Sequence, residues 1–478
     1  MNYSMIVYIL GWVLNIEGLF LIPPCIVALI YGEKSGSAYL ITMVVCLSLG
    51  LLVTRKKPHN TSFFSREGFT SVSLSWIVLS IFGAMPFVIS GEIPHFSDAL
   101  FETISGFTTT GASVLSDVEA LSHCSLFWRS FTHWIGGMGV LVFILAVLPL
   151  RGGTRVYLMR AESPGPSVSK LVPKLKSTAM ILYGIYVTIT VLEVIFLLVG
   201  GMPLFDALTI SFGTAGTGGF AIKNDSMAGY STYLQGVVTV FMILCGINFN
   251  AYFFIISRRF KNAFRMEEVR AYLLIILASI AVIAFNIRDM FPSIFQTVHQ
   301  AAFQVGSIIT TTGYATTDFN IWPEMSKTIL IALMFVGACA GSTGGGIKVS
   351  RLVILVKTIK KEILGIIHPR SIKKIKMDGH PIEHEVMRST NVFFIAYMMI
   401  FAASVLLLCI NEFDFTTNFT AVAATLNNIG PGMELVGPTH NFSIYRGLPK
   451  YVLMADMLIG RLEIFPVLVL LSYRTWKR

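Results

Sequence analysis

The sequence predicts an all-α polytopic membrane protein, with a two-span preamble and four helix–re-entrant loop–helix repeats around a pseudo-fourfold pore. Three observations lead to this fold class: the apolar composition, the length of the apolar stretches, and a short polar segment that recurs four times. The chain has 478 residues, of which 54% are hydrophobic and only 13% are charged. An ordinary soluble domain carries about 25% charged residues, so the composition excludes that class.

Ten apolar stretches are long enough to cross a membrane, which takes about 20 mostly apolar residues. They cover roughly residues 4–30, 37–54, 69–90, 126–149, 178–200, 233–257, 271–290, 325–357, 391–410 and 449–473. We do not expect the first stretch to be a cleavable signal peptide, because it has no basic n-region and no small-residue cleavage site. A second apolar stretch also follows it directly.

Four short segments rich in threonine, asparagine and glycine lie between the apolar stretches. They are residues 108–112 (TTTGA), 216–220 (GTGGF), 310–314 (TTTGY) and 427–431 (NNIGP). With Gly111, Gly219, Gly313 and Gly430 taken as equivalent, the intervals are 108, 94 and 117 residues. This regularity indicates one structural unit that is used four times.

The recurrence divides the chain into five predicted segments. A two-helix preamble covers residues 1–60, and the first two pore repeats cover 61–160 and 161–265. The third repeat, with a broken returning helix, covers 266–365, and residues 366–478 hold a cytoplasmic linker and the fourth repeat. In each repeat, about eleven residues before the glycine form a half-helix that reaches about 16 Å, half of a bilayer. The partial negative charge at its C-terminus favours a cation beyond it.

The four polar segments predict a potassium filter. Backbone that is neither helix nor barrel is tolerated at membrane depth only where protein buries it or where it lines a watery cavity. A ring of such backbone carbonyls replaces the water shell of potassium. Glycine permits the dihedral angles that this backbone needs, and threonine adds a hydroxyl group. The predicted filter residues, which would bind potassium as the only metal, are Thr109, Thr110, Gly111, Thr217, Gly218, Gly219, Thr311, Thr312, Gly313, Asn428, Ile429 and Gly430.

The filter segments are not identical. Any single segment, taken by itself, would be typical of an ordinary loop turn. The fourth segment has Asn428 and Ile429 where the first and third have two threonines, so we expect looser selectivity than four identical segments would give. In the second segment, Gly218 and Gly219 are both candidates for the filter position. Gly219 is favoured because the sequence GFA that it begins parallels the sequence GYA that begins at Gly313.

The preamble followed by four filter-containing units resembles the Trk/Ktr/HKT superfamily of potassium transporters, and most closely its bacterial Trk-type members. The resemblance covers essentially the whole chain, and Ktr-type relatives lack the preamble. It implies potassium uptake across the bacterial cytoplasmic (inner) membrane by a homodimer. It also implies a cytoplasmic TrkA-like regulatory subunit, which carries the nucleotide. An alternative within the same fold is a sodium-permeable or a proton- or sodium-coupled symporter. Some relatives that pass sodium carry serine at the first filter position, where this chain has Gly111.

A glycine-rich stretch at 337–348 lies inside the returning helix of the third repeat. Its five glycines should break that helix, because each costs about 1 kcal/mol relative to alanine. A phosphate cradle is not favoured, since the pattern G-x-x-x-x-G-K-[ST] is absent; close packing of small residues between helices remains an alternative. The stretch resembles the gating loop of the Trk family, which would consist here of Gly341, Ser342, Thr343, Gly344, Gly345, Gly346 and Lys348.

Arg461 lies within the last apolar stretch, near Asp456 and Glu463. A charge at the centre of a membrane costs about 2.5–3.5 kcal/mol on insertion scales, so we expect Arg461 to face the pore or a partner rather than lipid. The resemblance implies a pore arginine beneath the filter, near the gating loop. Pairing with Asp456 or Glu463 is an open alternative. Glu17 and Glu193, also within apolar stretches, receive no role.

The distribution of charge predicts the topology. With the N-terminus inside, 28 of the 36 Lys and Arg residues fall on one side, which marks the cytoplasmic loops and places both termini in the cytoplasm. About 14 of the 26 acidic residues fall on the other side, where they either raise the local cation concentration or are ordinary loop residues. The basic segments 151–176 and 357–376 fit membrane lipid headgroups or an acidic regulatory ring, and not nucleic acid.

No motif predicts an enzyme. Residues 380–384 spell H-x-x-E-H, the inverted zinc-peptidase pattern, but Pro381 disfavours the helix that would bring both histidines to one face. A solvated linker is the expectation there. His133 is the histidine nearest to a membrane span in an unusual setting, beside two glycines, and a structural role is favoured for it. The prediction is a transport protein.

Overall fold

The structure is a computed structural model that describes residues 1–59, 63–139, 175–369 and 374–477. Within these residues the chain is helical apart from loops and one antiparallel hairpin of Lys376–Met377 and His380–Pro381. Six helical stretches are long and apolar enough to cross a membrane: Tyr3–Tyr31, Gly36–Thr54, Ser65–Ser90, Met180–Val199, Glu267–Asn286 and His384–Asn411. The predicted all-α polytopic membrane fold is confirmed. Most of the basic segment 151–176 lies outside the described residues.

The preamble contains three helices, Tyr3–Phe20, Ile22–Tyr31 and Gly36–Thr54. The first packs closely on the third because Gly50 has no side chain; a Cβ there would meet the carbonyl oxygen of Gly11. Small residues allow such close packing where lipid supplies no hydrophobic drive between helices. The preamble packs in turn against Ser65–Ser90, which belongs to the first repeat.

Each repeat contributes an entering helix, a half-helix and a returning helix. The entering helices 1 to 4 are Ser65–Ser90, Leu175–Val199, Glu267–Asn286 and His384–Leu408. The half-helices 1 to 4 are Phe96–Phe107, Leu204–Gly216, Ile294–Ile309 and Phe415–Leu426. The returning helices 1 to 4 are His123–Gly137, Thr232–Cys245, Glu324–Val336 and Leu448–Arg461. The remaining helices of more than three residues are Phe249–Ile256, Phe260–Arg265, Val349–Ile367, Phe465–Leu471 and Tyr473–Trp476.

The returning helices are interrupted more widely than the sequence predicts. The predicted break in the third is present between Val336 and Val349. The predicted continuous span 233–257 is wrong, because the helix stops before Gly246 and the next helix is bent from it by 91°. The predicted span 449–473 is also wrong as a continuous helix, because residues 463 and 464 adopt positive φ angles. The span 126–149 runs beyond the described residues.

Returning helix 1 lies directly against half-helix 1 because Gly136 has no side chain. A Cβ on Gly136 would overlap the carbonyl oxygen of Phe107. Gly460 makes the same kind of approach in the fourth repeat, against the carbonyl oxygen of Leu426. Glycine in the returning helices therefore sets the depth at which the half-helix ends are held.

Glu33 joins the preamble to the first repeat by capping returning helix 1. Its carboxylate accepts hydrogen bonds from the backbone N–H groups of His123 (2.7 Å) and Cys124 (3.0 Å). A carboxylate at this position satisfies N–H groups that have no partner within the helix. Burial raises the pKa of Glu33, but the hydrogen bonds from Cys124 and His123 outweigh it and hold the pKa below its ordinary value of 4.5.

We predict that Gly136→Ala destabilises the protein by about 1–3 kcal/mol, because a new methyl group in a packed contact forces the backbones apart. The measurement is thermal unfolding of the purified full chain in detergent. Gly365→Ala is the matched control. Gly365 is exposed within Val349–Ile367 and its Cβ would meet nothing within 4 Å, so alanine should be neutral or stabilising. Equal unfolding temperatures for the two variants would contradict the close approach.

We predict that Glu33→Gln lowers stability at neutral pH by at most about 1 kcal/mol, because the carboxylate is partly exposed and solvent screens its interactions. A carboxylate whose folded pKa is depressed stabilises above its unfolded pKa, and this contribution is lost as pH falls through the folded pKa. The variant should therefore lose less stability than the wild type between neutral pH and values below 4.5. Unfolding temperature against pH is the measurement. Glu412→Gln, an exposed loop change, should keep the wild-type profile.

Candidate functional site

The four half-helices end in the same backbone motif, although their sequences differ. The residue after the last helical turn has a left-handed conformation in every repeat, with φ angles of 56°, 54°, 60° and 56° at Thr109, Thr217, Thr311 and Asn428. The next residue donates its N–H group to a carbonyl five positions earlier, over 2.8 to 2.9 Å. This is the Schellman ending of a helix. A non-glycine residue in this conformation costs about 1–3 kcal/mol, so the surrounding contacts must hold it.

The four glycine turns close a ring. Each equivalent glycine has a positive φ angle, of 78°, 78°, 86° and 107° in chain order. A Cβ on any of them would meet the carbonyl oxygen of the residue that precedes the glycine of the next repeat, and the fourth returns to the first. The pairs are Gly111 with Gly218, Gly219 with Thr312, Gly313 with Ile429, and Gly430 with Thr110. The structure thus brings together all twelve residues that the sequence predicts for the filter.

The geometry distinguishes the two candidate glycines of the second segment. Gly219 takes the ring position, with the positive φ angle and the contact to the third segment. Gly218 is needed for a different reason, since a Cβ there would enter the ring of His133. The preference for Gly219 at the equivalent position therefore agrees with the backbone of the structure.

The fourth segment departs from the others in its side-chain contacts. In the first and third segments, the hydroxyl groups of two threonines two positions apart are hydrogen-bonded over 2.8 Å. In the fourth segment, Asn428 instead donates from Nδ2 to the hydroxyl of Thr110 (2.9 Å) and to the carbonyl of Met457 (2.9 Å). Asparagine therefore links the fourth segment both to the first segment and to its own returning helix.

The glycine-rich loop lies against the ends of half-helices 3 and 4. The Gly345 N–H donates to the hydroxyl of Thr311 over 2.6 Å, and the Gly346 N–H donates to the carbonyl of Asn427 over 3.1 Å. A Cβ on Gly344 would lie 2.8 Å from the carbonyl oxygen of Thr310. The buried ammonium group of Lys348 donates to the carbonyl of Gly344 within the loop. The loop can lie this close to the ring because Gly344 and Gly345 have no side chains.

Arg461 ties the loop to the first repeat. Its Nη1 donates to the carbonyl of Thr343 (2.9 Å) and to the hydroxyl of Thr109 (3.1 Å). Its Nη2 donates to the carbonyls of Gly136 (2.5 Å) and Gly137 (2.8 Å). Arg461 therefore contacts a ring segment, the loop and the end of returning helix 1 at once.

The two acidic neighbours of Arg461 have other partners. Asp456 accepts a hydrogen bond from the hydroxyl of Ser404 (2.7 Å), and Glu463 accepts one from Arg351 (2.5 Å). The guanidinium of Arg351 also lies 3.9 Å from the centre of the Phe393 ring. Asp456 and Glu463 thus have hydrogen-bond donors of their own, and Arg461 donates to backbone carbonyls of the loop and of returning helix 1.

A cavity of about 120 Å³ lies beside the loop and Arg461. The loop contributes Gly341, Ser342, Gly344 to Gly346 and Lys348 to its lining, and Trp76 lies on the opposite side with Gly460 to Glu463. One side of the loop therefore contacts the ring and another side lines this cavity.

Sequence reasoning missed the residue that fastens both ends of the loop. Glu268, buried at the start of entering helix 3, accepts at Oε1 from the N–H groups of Ala340 (2.6 Å) and Ser350 (3.1 Å). Its Oε2 accepts from Asn248 (3.1 Å), at the break of returning helix 2. An acidic residue before an apolar helix is ordinarily an N-terminal preference, so the sequence held no specific signal for this role.

Among the described residues, no group of three or more His, Cys, Asp or Glu side chains is arranged to hold a metal ion. The H-x-x-E-H pattern falls across the hairpin strand His380–Pro381 and the first residue of entering helix 4. The polar groups of the site are instead backbone carbonyls and hydroxyls, which suit a hard monovalent cation rather than a transition metal.

The helices and the ring define a polytopic membrane protein with a polar site on its axis. A family model described as TrkH, a cation transport protein, matches residues 35–476. The chain belongs to this family, which confirms the resemblance to the Trk/Ktr/HKT superfamily, and it is a transport protein rather than an enzyme.

Individual relatives match the chain over its whole length. It is 37% identical over 489 residues to the Trk system potassium uptake protein TrkH of Salmonella typhimurium, with 100% of both chains covered. It is 36% identical to the Trk system potassium uptake protein TrkG of Escherichia coli, covering 100% of this chain and 99% of that one. The crystal structure of the potassium transporter TrkH from Vibrio parahaemolyticus superposes with a TM-score of 0.89 at 33% identity, covering 100% of both chains.

Proposed function

We propose that the chain carries potassium into bacteria across the cytoplasmic membrane, with the ring of four glycine turns as its selectivity filter. The observation that carries the proposal is the closed order of contacts in which each glycine packs on the carbonyl of the next repeat. Carbonyl rings replace the hydration shell of potassium. The full-length relatives named as potassium uptake proteins support the same ion.

The half-helices supply the electrostatic part of the proposal. Each ends at the ring with its C-terminus, where the helix dipole places partial negative charge. A potential of 100 mV contributes about 2.3 kcal/mol per monovalent cation, which supports roughly fifty-fold accumulation. Uptake down the electrochemical gradient therefore needs no energy-coupling site in this chain. A sodium-permeable or a proton- or sodium-coupled symporter is the alternative within the same fold.

We propose that the glycine-rich loop 337–348 is the gate. The loop is held in place by hydrogen bonds: Gly345 and Gly346 donate to the ring segments, Arg461 donates to the Thr343 carbonyl, and Glu268 accepts at the two ends of the loop. The loop contacts the ring segments and also lines the cavity beside Arg461, and its withdrawal would open the pathway. The positive charge of Arg461 adds an electrostatic barrier to a cation at the same depth.

We also propose that a subunit on the cytoplasmic side controls the opening of the gate. The relatives are named as parts of a Trk system, and we assign to this chain a homodimeric state and a cytoplasmic TrkA-like nucleotide-binding regulatory subunit. The basic helix Val349–Ile367 continues directly from the loop. A cytoplasmic partner that moves this helix would therefore move the loop. Basic residues at this membrane face also suit anionic lipid headgroups.

We predict that Gly111→Ser lowers selectivity for potassium over sodium by about tenfold, equivalent to about 1.4 kcal/mol. The serine Cβ would be strained at a φ of 78° and would collide with the Gly218 carbonyl. Ion-replacement uptake of potassium, rubidium and sodium in proteoliposomes that hold the purified chain is the measurement. Gly184→Ser is the control, since a Cβ on Gly184 meets nothing within 4 Å. An unchanged ratio of potassium to sodium uptake in a folded Gly111→Ser protein would refute the filter.

We predict that Arg461→Gln raises potassium flux several-fold in the absence of any regulatory partner. The shorter, uncharged side chain loses most of the hydrogen bonds that tie Thr343 to Gly136 and Gly137. Initial uptake rate at equal protein density is the measurement. Arg388→Gln, at an exposed position of entering helix 4, removes the same charge as a control. A flux equal to that of the wild type would argue against both the anchor and the barrier.

A further inference from the structure

The junction between the first and second ring segments contains a side chain held between two basic residues of one helix. Phe220, which follows the ring glycine of the second segment, lies 4.1 Å below the guanidinium of Arg129. Its ring centre lies 4.3 Å from that of His133. Arg129 and His133 are four positions apart on returning helix 1 and therefore share one face of that helix.

Arg129 connects the half-helix of the first repeat to the backbone of both segments. Its Nε and Nη2 donate to Oε1 of Glu102 over 2.9 and 2.6 Å, and its Nη1 donates to the Ala221 carbonyl over 3.2 Å. Glu102 in turn accepts from the Val114 N–H (3.1 Å) and from the hydroxyl of Ser113 (3.0 Å). One ion pair thus holds the chain just after the glycine in the first segment and in the second.

His133 makes a second connection, between half-helix 1 and the second ring segment. Its Nδ1 lies 2.8 Å from the carbonyl oxygen of Gly106, and its Nε2 accepts the N–H of Phe220 over 3.1 Å. A carbonyl can only accept and an N–H can only donate, so this pair of bonds requires a neutral ring with its proton on Nδ1. His133 therefore fixes Phe220 relative to half-helix 1 through both ring nitrogens.

At the other three junctions of the ring, neutral side chains make contacts, although Arg461 of the fourth repeat also donates to Thr109 of the first segment. Between the second and third segments, the hydroxyl of Tyr314 donates to the carbonyl of Ile210 over 3.2 Å. At the next junction a Cβ on Gly313 would lie 3.0 Å from Cδ of Pro431, and at the last junction Asn428 donates to Thr110. The positions equivalent to Glu102, nine residues before the glycine, are Ile210, Gln304 and Ala421. Among the described residues, Glu102 and Arg129 form the ion pair in which both side chains are almost completely buried, at 0% and 2% exposure.

We propose that Glu102, Arg129 and His133 are positioning residues for ion selectivity, which set the spacing between the first and second segments of the ring. The proposal rests on the function proposed above for that ring. None of the three side chains contacts an ion; they act through the backbone at Ser113, Val114, Phe220 and Ala221. Burial of an ion pair is costly unless its remaining hydrogen bonds are satisfied, and here those bonds go to the two segments. Selectivity depends on the placement of carbonyls, so loosening this junction should admit sodium before it abolishes transport.

The test compares two substitutions of His133 in the proteoliposome assay with potassium and sodium. His133→Gln keeps one donor and one acceptor, and should retain a potassium-to-sodium uptake ratio near that of the wild type. His133→Leu removes both, and should lower the ratio about tenfold while potassium uptake persists. Arg129→Lys and Glu102→Gln, which each weaken the ion pair, should lower the ratio in the same direction. Arg288→Gln, a change in an exposed pair with Asp289, is the control and should keep the wild-type ratio.

Each outcome decides the proposal. A folded His133→Leu protein with the wild-type ratio would overturn it. If His133→Leu fails to fold while His133→Gln folds, His133 has a structural role. That result would also overturn the proposal that His133 positions the ring for selectivity. Failure of the Arg129 and Glu102 variants to fold leaves the decision to the His133 pair.

Gly111→Ser in the same assay separates this proposal from the one on which it rests. If Gly111→Ser loses selectivity while all folded variants of the three positioning residues keep it, the positioning role is wrong and the proposed filter is supported. If Gly111→Ser keeps selectivity as well, the filter itself is wrong.

Discussion

The structure depends on one constraint: four helices must end half-way through a membrane. At that depth no bulk water can satisfy the backbone groups that a helix end leaves without partners. Each half-helix meets the constraint with a left-handed residue, and the Schellman hydrogen bonds around it satisfy carbonyl groups of the last helical turns. The conformation is strained at Thr109 and its equivalents. The strain is held because each turn packs on the next, so no one turn can relax alone.

Glycine makes that arrangement possible on three sides of the ring. Within the ring, glycine allows each segment to lie on the carbonyl of its neighbour. Behind the ring, Gly136 and Gly460 let the returning helices reach the half-helix ends. Beside the ring, Gly344 and Gly345 let the loop contact half-helices 3 and 4. The ring is therefore in close contact with its surroundings through backbone, and the side chains of Arg461 and Glu268 form hydrogen bonds with backbone groups of the loop.

The ring is fourfold in its backbone and asymmetric in its supports. A buried ion pair and a histidine hold the first junction, a tyrosine hydroxyl the second, a proline contact the third and an asparagine the fourth. Arg461 of the fourth repeat likewise contacts the first segment and the loop. A single chain can place different supports at each junction, whereas four identical subunits could not. This freedom allows each junction to be adjusted without changing the others.

The sequence by itself determined the membrane class, the fourfold recurrence and the residues of the ring. These follow from local signals: apolar stretches of sufficient length, glycine at fixed intervals, and a glycine-rich break in one helix. Tertiary structure decided what local signals do not encode. The breaks in returning helices 2 and 4 arise where those helices meet the half-helix ends. The roles of Glu102, His133 and Glu268 depend on groups that are 11 to 87 residues away in the chain. The partners of Arg461 were also decided in space, because backbone carbonyls more than 300 positions away carry no signature in sequence.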